Sequence, residues 1–289
     1  MNVVQAVVTG MLLGGLYAVM SVGLSVSWGM LRVINLAHFG MILLGAYLTF
    51  ELATEWGVNP ILTLVVTVPA MAALGAALQW VYERTGLAEF TSLLVSFGVM
   101  IIMIQAVQNI WTADFQRMGA DVNPFRTRSL TVAGLALPLP TLIAFGAGAA
   151  LIVAGWAVLR STFTGRAVRA IAEDRVVAAA YGVDDRRLGM VVAAACGASA
   201  AVAGMLWALY YTLVPDAPFE WIGIVFAVVI LGGVGQVLGT LGAGVLVGAL
   251  TSLVSLVWES RASLIVVFAV IILTLLVRPH GLFTPREAR

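Results

Sequence analysis

Side chains able to do chemistry are scarce in this sequence, and they gather in a few places. The densest gathering runs from Thr162 to Arg187 and holds Arg166, Arg169, Glu173, Asp174, Arg175, Asp184, Asp185, Arg186 and Arg187. Burying one such group at a bilayer centre costs roughly 2.5–3.5 kcal/mol, and burying all of these together costs on the order of 20–30 kcal/mol. This charged island therefore belongs in water. A second group is Arg32, Asn35 and His38, at i, i+3 and i+6 between two apolar runs. Polar backbone or side chains at membrane depth survive only against protein or water. Asn35 and His38 are thus candidates either for lining a cavity or for locking helix ends by hydrogen bonds. A third group, Ser92, Ser96, Gly98, Gln105, Gln108 and Asn109, makes one apolar run unusually polar. Ser96, Gln105 and Asn109 fall near one helical face, where interhelical hydrogen bonding or substrate contact would use them. A fourth is backbone rather than side chain: Gly232-Gly233-Val234-Gly235-Gln236 interrupts an apolar stretch. It suits either a broken or re-entrant helix pair that exposes backbone groups at a midplane site, or a plain tight turn.

Other chemistries are excluded by what is missing. All 15 basic residues are Arg, so neither a phosphate-binding P-loop nor Schiff-base catalysis on Lys is available. Cys196 is the single cysteine and can form no internal disulfide; a small packed side chain is its expected role. Two His residues cannot build the usual metal cluster alone, and no metal or other cofactor is expected. A formal net charge of +1, without a basic run interleaved with aromatics, argues against nucleic acid as a partner.

The elements that must position these groups follow from composition. The 289 residues are 62% hydrophobic and 10% charged, with a mean hydropathy of +1.06. Soluble domains carry about 25% charged residues, and a membrane span needs about 20 mostly apolar ones. The chain reads as one all-α, polytopic membrane domain over 1–289. Spans are expected at about Val7–Trp28, a run ending near Phe50, Pro60–Trp80, Thr91–Trp111, Thr141–Leu159, Leu188–Tyr211, the pair flanking the Gly-rich break, and Ala262–Val277. That gives eight or nine crossings, depending on the break. The stretch from Thr112 to Pro140 reads as a polar loop. No basic residue precedes Arg32, so the first apolar run is expected to be retained rather than cleaved as a secretory signal.

Arginine counts orient the domain. With the island inside, Arg32, Arg84, Arg160, Arg278, Arg286 and Arg289 join its arginines there, and Arg117, Arg126, Arg128 and Arg261 remain outside. This satisfies the positive-inside bias, with an external N-terminus and a cytoplasmic C-terminus. Every carboxylate falls in a loop or at a span end. A proton-driven carrier usually needs a titrating group within its path, so the chain offers a conduit without an engine. The island reads as the handle for an external one: Gly165–Tyr181 is expected to be a helix with Val168, Ile171 and Ala172 on its apolar side. Arg169 and Glu173 make an i, i+4 pair on it, Gly182 is a helix stop, and Asp184 or Asp185 caps the next helix. A solvated helix that merely anchors the loop is the alternative.

Several motifs, in order and spacing, resemble those of the permease subunits of branched-chain amino acid (LIV-type) ABC importers, of the LivH type, over nearly the whole length. They are Gly15-Leu16-Tyr17-Ala18, Ile34-Asn35-Leu36-Ala37-His38, Gly45-Ala46-Tyr47, Thr164-Gly165-Arg166-Ala167-Val168-Arg169-Ala170 with Gly182, Leu231-Gly232-Gly233-Val234-Gly235-Gln236, and Arg278-Pro279-His280-Gly281-Leu282-Phe283. The resemblance implies a non-enzymatic subunit of a bacterial inner-membrane importer. Its partners would be a second related permease, two cytosolic ATPase subunits that hydrolyse the ATP, and a periplasmic substrate-binding protein. Residues Arg166–Gly182 would form the coupling helix, with Gly165, Arg166, Arg169, Glu173, Asp174 and Gly182 meeting the ATPase. Asn35, His38, Ser96, Gln105, Gly232, Gly233, Gly235 and Gln236 are the candidates for the substrate path. One departure bears on the substrate: family members often carry Gly and then an acid after the His, whereas Phe39 and Gly40 follow His38. Relatives also carry urea, amides and small aromatic acids; a branched-chain or other small apolar amino acid suits spans without fixed charge. A stand-alone gradient-driven carrier or channel is the rival reading.

Overall fold

The computed structural model describes residues 3–86, 89–132, 134–257, 260–278 and 281–283, without the side chains at 89 and 260–264. Pro279 and His280 of the closing motif, Arg286, Arg289 and the Arg261 side chain lie outside the described residues. The helices are α1 (Val3–Val26), α2 (Ala37–Thr54), α3 (Leu64–Thr85), α4 (Glu89–Trp111), α5 (Leu139–Ser161), α6 (Phe163–Glu173), α7 (Arg175–Ala180), α8 (Asp185–Tyr210), α9 (Ala217–Gly232), α10 (Val237–Val257) and α11 (Ser260–Val277). Among the described residues, 7 helices are long and apolar enough to cross a membrane, and Ala217–Gly232 and Ile265–Val277 are shorter apolar helices. The bundle is all-α in its spans, as composition required.

Glycine decides which helices touch. Gly10 and Gly14 of α1 interleave with Gly244 and Gly248 of α10, so that a Cβ on any of them would strike the facing backbone. Small residues at a spacing of four let backbones approach this closely. Gly75 of α3 and Gly197 of α8 form a second such seam, against Ala193 and Met71, and Gly204 of α8 sits on Ile42 and Ala46 of α2. Around these seams lies the core, with Leu16, Met20, Leu24, Phe39, Ile42 and Tyr47 among its fully buried side chains.

Two ends of the bundle are distinguishable by their polar ties. At one end Gln5 donates to Ala136 O (2.5 Å) and accepts from Ala136 N (3.0 Å). There too Asn123 donates to Leu209 O (2.9 Å), and Gln116 pairs with Leu213. At the other end Arg175 donates to Leu31 O (3.0 Å), and Gln79 donates to Glu83 (3.0 Å) beside Gly189 at the start of α8. The N-terminus and the 112–140 segment therefore share one end, and the charged island takes the opposite one, as alternating crossings demand.

The 112–140 segment is more ordered than a polar loop. Ser129–Val132 (β1) and Leu135–Pro138 (β2) form an antiparallel hairpin, with Ser129 opposite Pro138 and Val132 opposite Leu135. Gly134 at its tip takes φ +79°, the left-handed backbone such a turn needs. The signal was Ser-Leu-Thr-Val against Leu-Ala-Leu-Pro, two short apolar runs about a Gly. Met118 and Asn123, both buried, seat the first half of the segment on the bundle.

Candidate functional site

Helix α1 does not end cleanly. Its last turn, Ser27–Leu31, widens into π geometry, and Arg32 then takes a left-handed conformation at φ 55°. Such backbone is costly for a residue with a Cβ and persists only where surroundings fix it. Here Arg32 N and Val33 N bond back to Trp28 O (3.1 Å) and Ser27 O (3.4 Å), and Ser27 Oγ donates to Val33 O (3.0 Å). The linker that follows carries Asn35, and α2 begins with His38 in its first turn.

Both are buried, Asn35 at 8% exposure and His38 at 1%. His38 Nε2 lies 3.1 Å from Met20 O; a carbonyl only accepts, so Nε2 carries the proton and Nδ1 is an acceptor. The ring lies against Gly23 of α1, and Ser199 of α8 touches the same point, so a Cβ at 23 would fill the space the imidazole uses. Asn35 Oδ1 and His38 Nδ1 have no hydrogen-bond partner although both atoms are buried. Buried polar atoms are normally satisfied. They are two open acceptors, three residues apart in sequence and closed off from the surface.

Ser96 joins this neighbourhood as a lock. Its hydroxyl accepts from Leu36 N (3.0 Å) and lies within donating distance of Ile34 O (3.1 Å) and Leu93 O (2.9 Å). It ties the linker to α4, the interhelical use of the two its sequence position allowed. Gln105 is elsewhere. Nine residues along α4, roughly 13 Å, it is exposed and donates to Gln108 (3.0 Å), which donates in turn to Asp216 (3.3 Å) at the hairpin end.

The Gly-rich break is a turn between α9 and α10 rather than a midplane gap. Gly233 (φ +87°) and Gly235 (φ +81°) supply its left-handed steps. Gly235 N donates to Ser25 Oγ (3.1 Å), and Gly235 packs on Gly29, so the turn rests on the end of α1. Gly232 faces Gly239, Gly281 covers Gly233, and Leu282 N donates to Leu231 O (2.8 Å). Gln236 is exposed beside them. Gly235 thus rests on the π turn, the linker that leads out of it carries Asn35 to His38, and Gln105 stands apart.

The island docks on the same turn. The expected single helix over Gly165–Tyr181 is broken at Asp174, whose carboxylate caps α7 by accepting from Val176 N (2.8 Å) and Val177 N (3.0 Å). A residue able to cap competes with helix continuation, and here it wins. Within α6, Gly165, Val168 and Ile171 are buried and Ala172 is half-buried. Val168 clusters with Met30, Leu31, Val192 and Cys196. Gly165 lies on the backbone of Val158 and Leu159, where a side chain would not fit. Arg166 is exposed, over the Phe163 ring at 5.9 Å.

Arg169 and Glu173 are exposed too but do not form the expected pair: among the described residues the ion pairs are Arg175–Asp185 (3.4 Å) and Arg187–Asp184 (3.0 Å). Gly182 (φ +81°) ends α7 and Asp184 caps α8 by accepting from Arg187 N (3.1 Å), both as the sequence suggested. What sequence reasoning missed is Arg175. Its guanidinium bridges Leu31 O and Asp185, and nothing in the local pattern marks it among its neighbouring arginines.

Comparison with known proteins fits this arrangement. The sequence matches, over residues 6–275, the family described as "Branched-chain amino acid transport system / permease component". It is 26% identical to the high-affinity branched-chain amino acid transport system permease protein LivH of Salmonella typhimurium and to that of Escherichia coli K12, over 96% of this chain and 94% of each relative. The corresponding protein BraD of Pseudomonas aeruginosa is 24% identical over the same shares. No solved structure matches. A polytopic apolar bundle, a charged island docked on one irregular helix end, and a family match across nearly its whole length make this chain a member of the branched-chain amino acid transport permease family.

Proposed function

We propose that this chain is the permease subunit of an ATP-driven importer of branched-chain or other small apolar amino acids in a bacterial inner membrane. It forms the path with a second, related permease. Two cytosolic ATPase subunits drive it, and a periplasmic binding protein delivers substrate at the hairpin end. The island and the C-terminus face the cytoplasm, a reading supported by the arginine distribution.

One observation carries the mechanism: the apolar side of α6 bears directly on Met30 and Leu31, and Arg175 holds Leu31 O. A push on α6 therefore reaches the π turn without passing through a flexible segment. The turn is joined to Asn35 by the three residues Arg32–Ile34, with His38 three positions further on, and it touches Gly235, so movement of the handle would reposition the open acceptors. Arg166, Arg169 and Glu173 on the exposed side of α6 are the surface offered to the ATPase, with Asp174 and Gly182 setting where it ends. Gln105 and Asn109 of α4 are exposed and Gln108 beside them is half-buried, a polar edge that favours a face shared with the second permease over one left in lipid.

The test is co-purification and uptake. The chain expressed with its second permease and ATPase is expected to retain the ATPase and take up leucine when ATP is supplied. Arg169→Glu is expected to lose both while still inserting into the membrane. Leucine accumulation against a gradient in vesicles holding this chain alone would overturn the proposal.

A further inference from the structure

Between the end of α3, the starts of α7 and α8 and the linker that leaves α1 lies a cleft of about 550 Å³, at the island end of the bundle. Its volume falls within the roughly 300–1,000 Å³ of small-molecule sites. Arg32, Gly86 and Arg186 of its lining are exposed, so it opens to the water around the island.

Charges of both signs line it, and most are not spent on one another. Arg175 and Asp185 form a pair (3.4 Å), and Arg175 also holds Leu31 O. Glu83 is half-buried; its Oε1 accepts from Gln79 (3.0 Å) over Gly189 of α8, and no cation lies within 4 Å of it among the described residues. The guanidinium groups of Arg32 and Arg186 have neither an ion pair nor a hydrogen bond among the described residues. Arg32 is the more telling of the two. It stands in left-handed backbone at φ 55°, where Gly is unstrained and any other side chain is not. That strain is kept for a guanidinium with no use inside the described bundle, and strained residues gather at ligand sites.

The mixture of signs decides the occupant. A phosphate or dicarboxylate would meet Glu83, and a bare amine would meet two arginines; like charges brought together are unfavourable in either case. A zwitterion offers a carboxylate to the forked donors of Arg and an ammonium to Glu83. Leu31, Val33 and Tyr82 add apolar surface to the same lining, suited to a small aliphatic side chain.

We propose that this cleft binds a free amino acid with a small apolar side chain, its carboxylate at Arg32 and Arg186 and its ammonium at Glu83. That the occupant is the transported amino acid rests on the function proposed above. Bound there, it bridges α3 and α8 to the π turn, and so holds the contact through which α6 acts.

Hydrogen exchange of the full chain in phosphatidylcholine nanodiscs, with and without leucine, tests this. At ten times the leucine Kd, the Arg32 and Val33 amides, bonded to Trp28 O and Ser27 O, are expected to exchange about tenfold more slowly. Isopentylamine and isocaproate, which each carry one of the two charges, are expected to give no such slowing at the same concentration. Glu83→Gln, which keeps the side chain's length, and Arg186→Gln are each expected to match the unchanged chain without leucine and to lose the response to it. Slowing that survives in both variants, or that isocaproate alone produces, would overturn the proposal. So would loss of the leucine response when phosphatidylethanolamine, whose headgroup is also a zwitterion, replaces half of the phosphatidylcholine. Absence of slowing in a chain whose assembled transporter takes up leucine would overturn this inference and leave the proposed function standing; slowing without such uptake would do the reverse.

Discussion

Val168→Ala measures how firmly the island is seated. Val168 is 4% exposed and packs on Met30, Leu31 and Val192. Truncation removes two methyl groups, about 0.8 kcal/mol each by transfer, or about 1.6 kcal/mol. Incomplete collapse around the gap raises this to about 2.5 kcal/mol. The loss falls on a short helix joined to α5 and α7 by the single residues Thr162 and Asp174, so it is expected to appear as local undocking rather than global unfolding. At about 1.4 kcal/mol per factor of ten, the undocked population rises about 15- to 60-fold. Hydrogen exchange of the amides from Arg166 to Glu173, followed by mass spectrometry, is expected to speed up by that factor, while α1 and α10 exchange as before. In the assembled transporter the same variant is expected to hydrolyse more ATP per leucine moved. Unchanged exchange in α6, or acceleration spread evenly over the bundle, would refute the claim that α6 is held chiefly by this apolar contact.

Ser96→Ala leaves Leu36 N without its acceptor inside the bundle; a loss of about 1–3 kcal/mol is expected, seen as a lower Tm, with Ser96→Thr recovering most of it. Gly235→Ala forces a Cβ into a φ of +81° against Gly29; a cost of about 1–2 kcal/mol is expected, with uptake falling more than membrane insertion. Gly244→Leu drives a side chain into the Gly14 backbone, and separation of α1 from α10 is expected, read as faster hydrogen exchange in both helices with membrane insertion unchanged.

The spans were legible because apolar length is a direct physical requirement of lipid: α4, expected at Thr91–Trp111, forms over Glu89–Trp111. The caps at Asp184 and Gly182 were legible for an equally local reason. Asp174 was harder, since its capping carboxylate sits inside a run that reads as continuous helix. Arg175 was not legible at all: its partner Leu31 is 144 residues away and contributes only a backbone oxygen, which every residue has. Ser96, Asn35 and His38 were identifiable as polar residues in apolar sequence. Which of them is satisfied within the bundle and which is left open depends on tertiary placement. The separation of Gln105 from that group follows from distance along one helix, which face-counting ignores.

The glycine seam between α1 and α10 reaches beyond the finished bundle. Helix α1 leaves the ribosome long before α10, its tightest neighbour, so it must cross the lipid and wait, its notched side uncovered, until α10 has been made. Insertion and assembly are then separate stages. A chain cut short before Val237 would enter the membrane normally yet keep that side bare, a state that cellular proteases could distinguish from the mature protein.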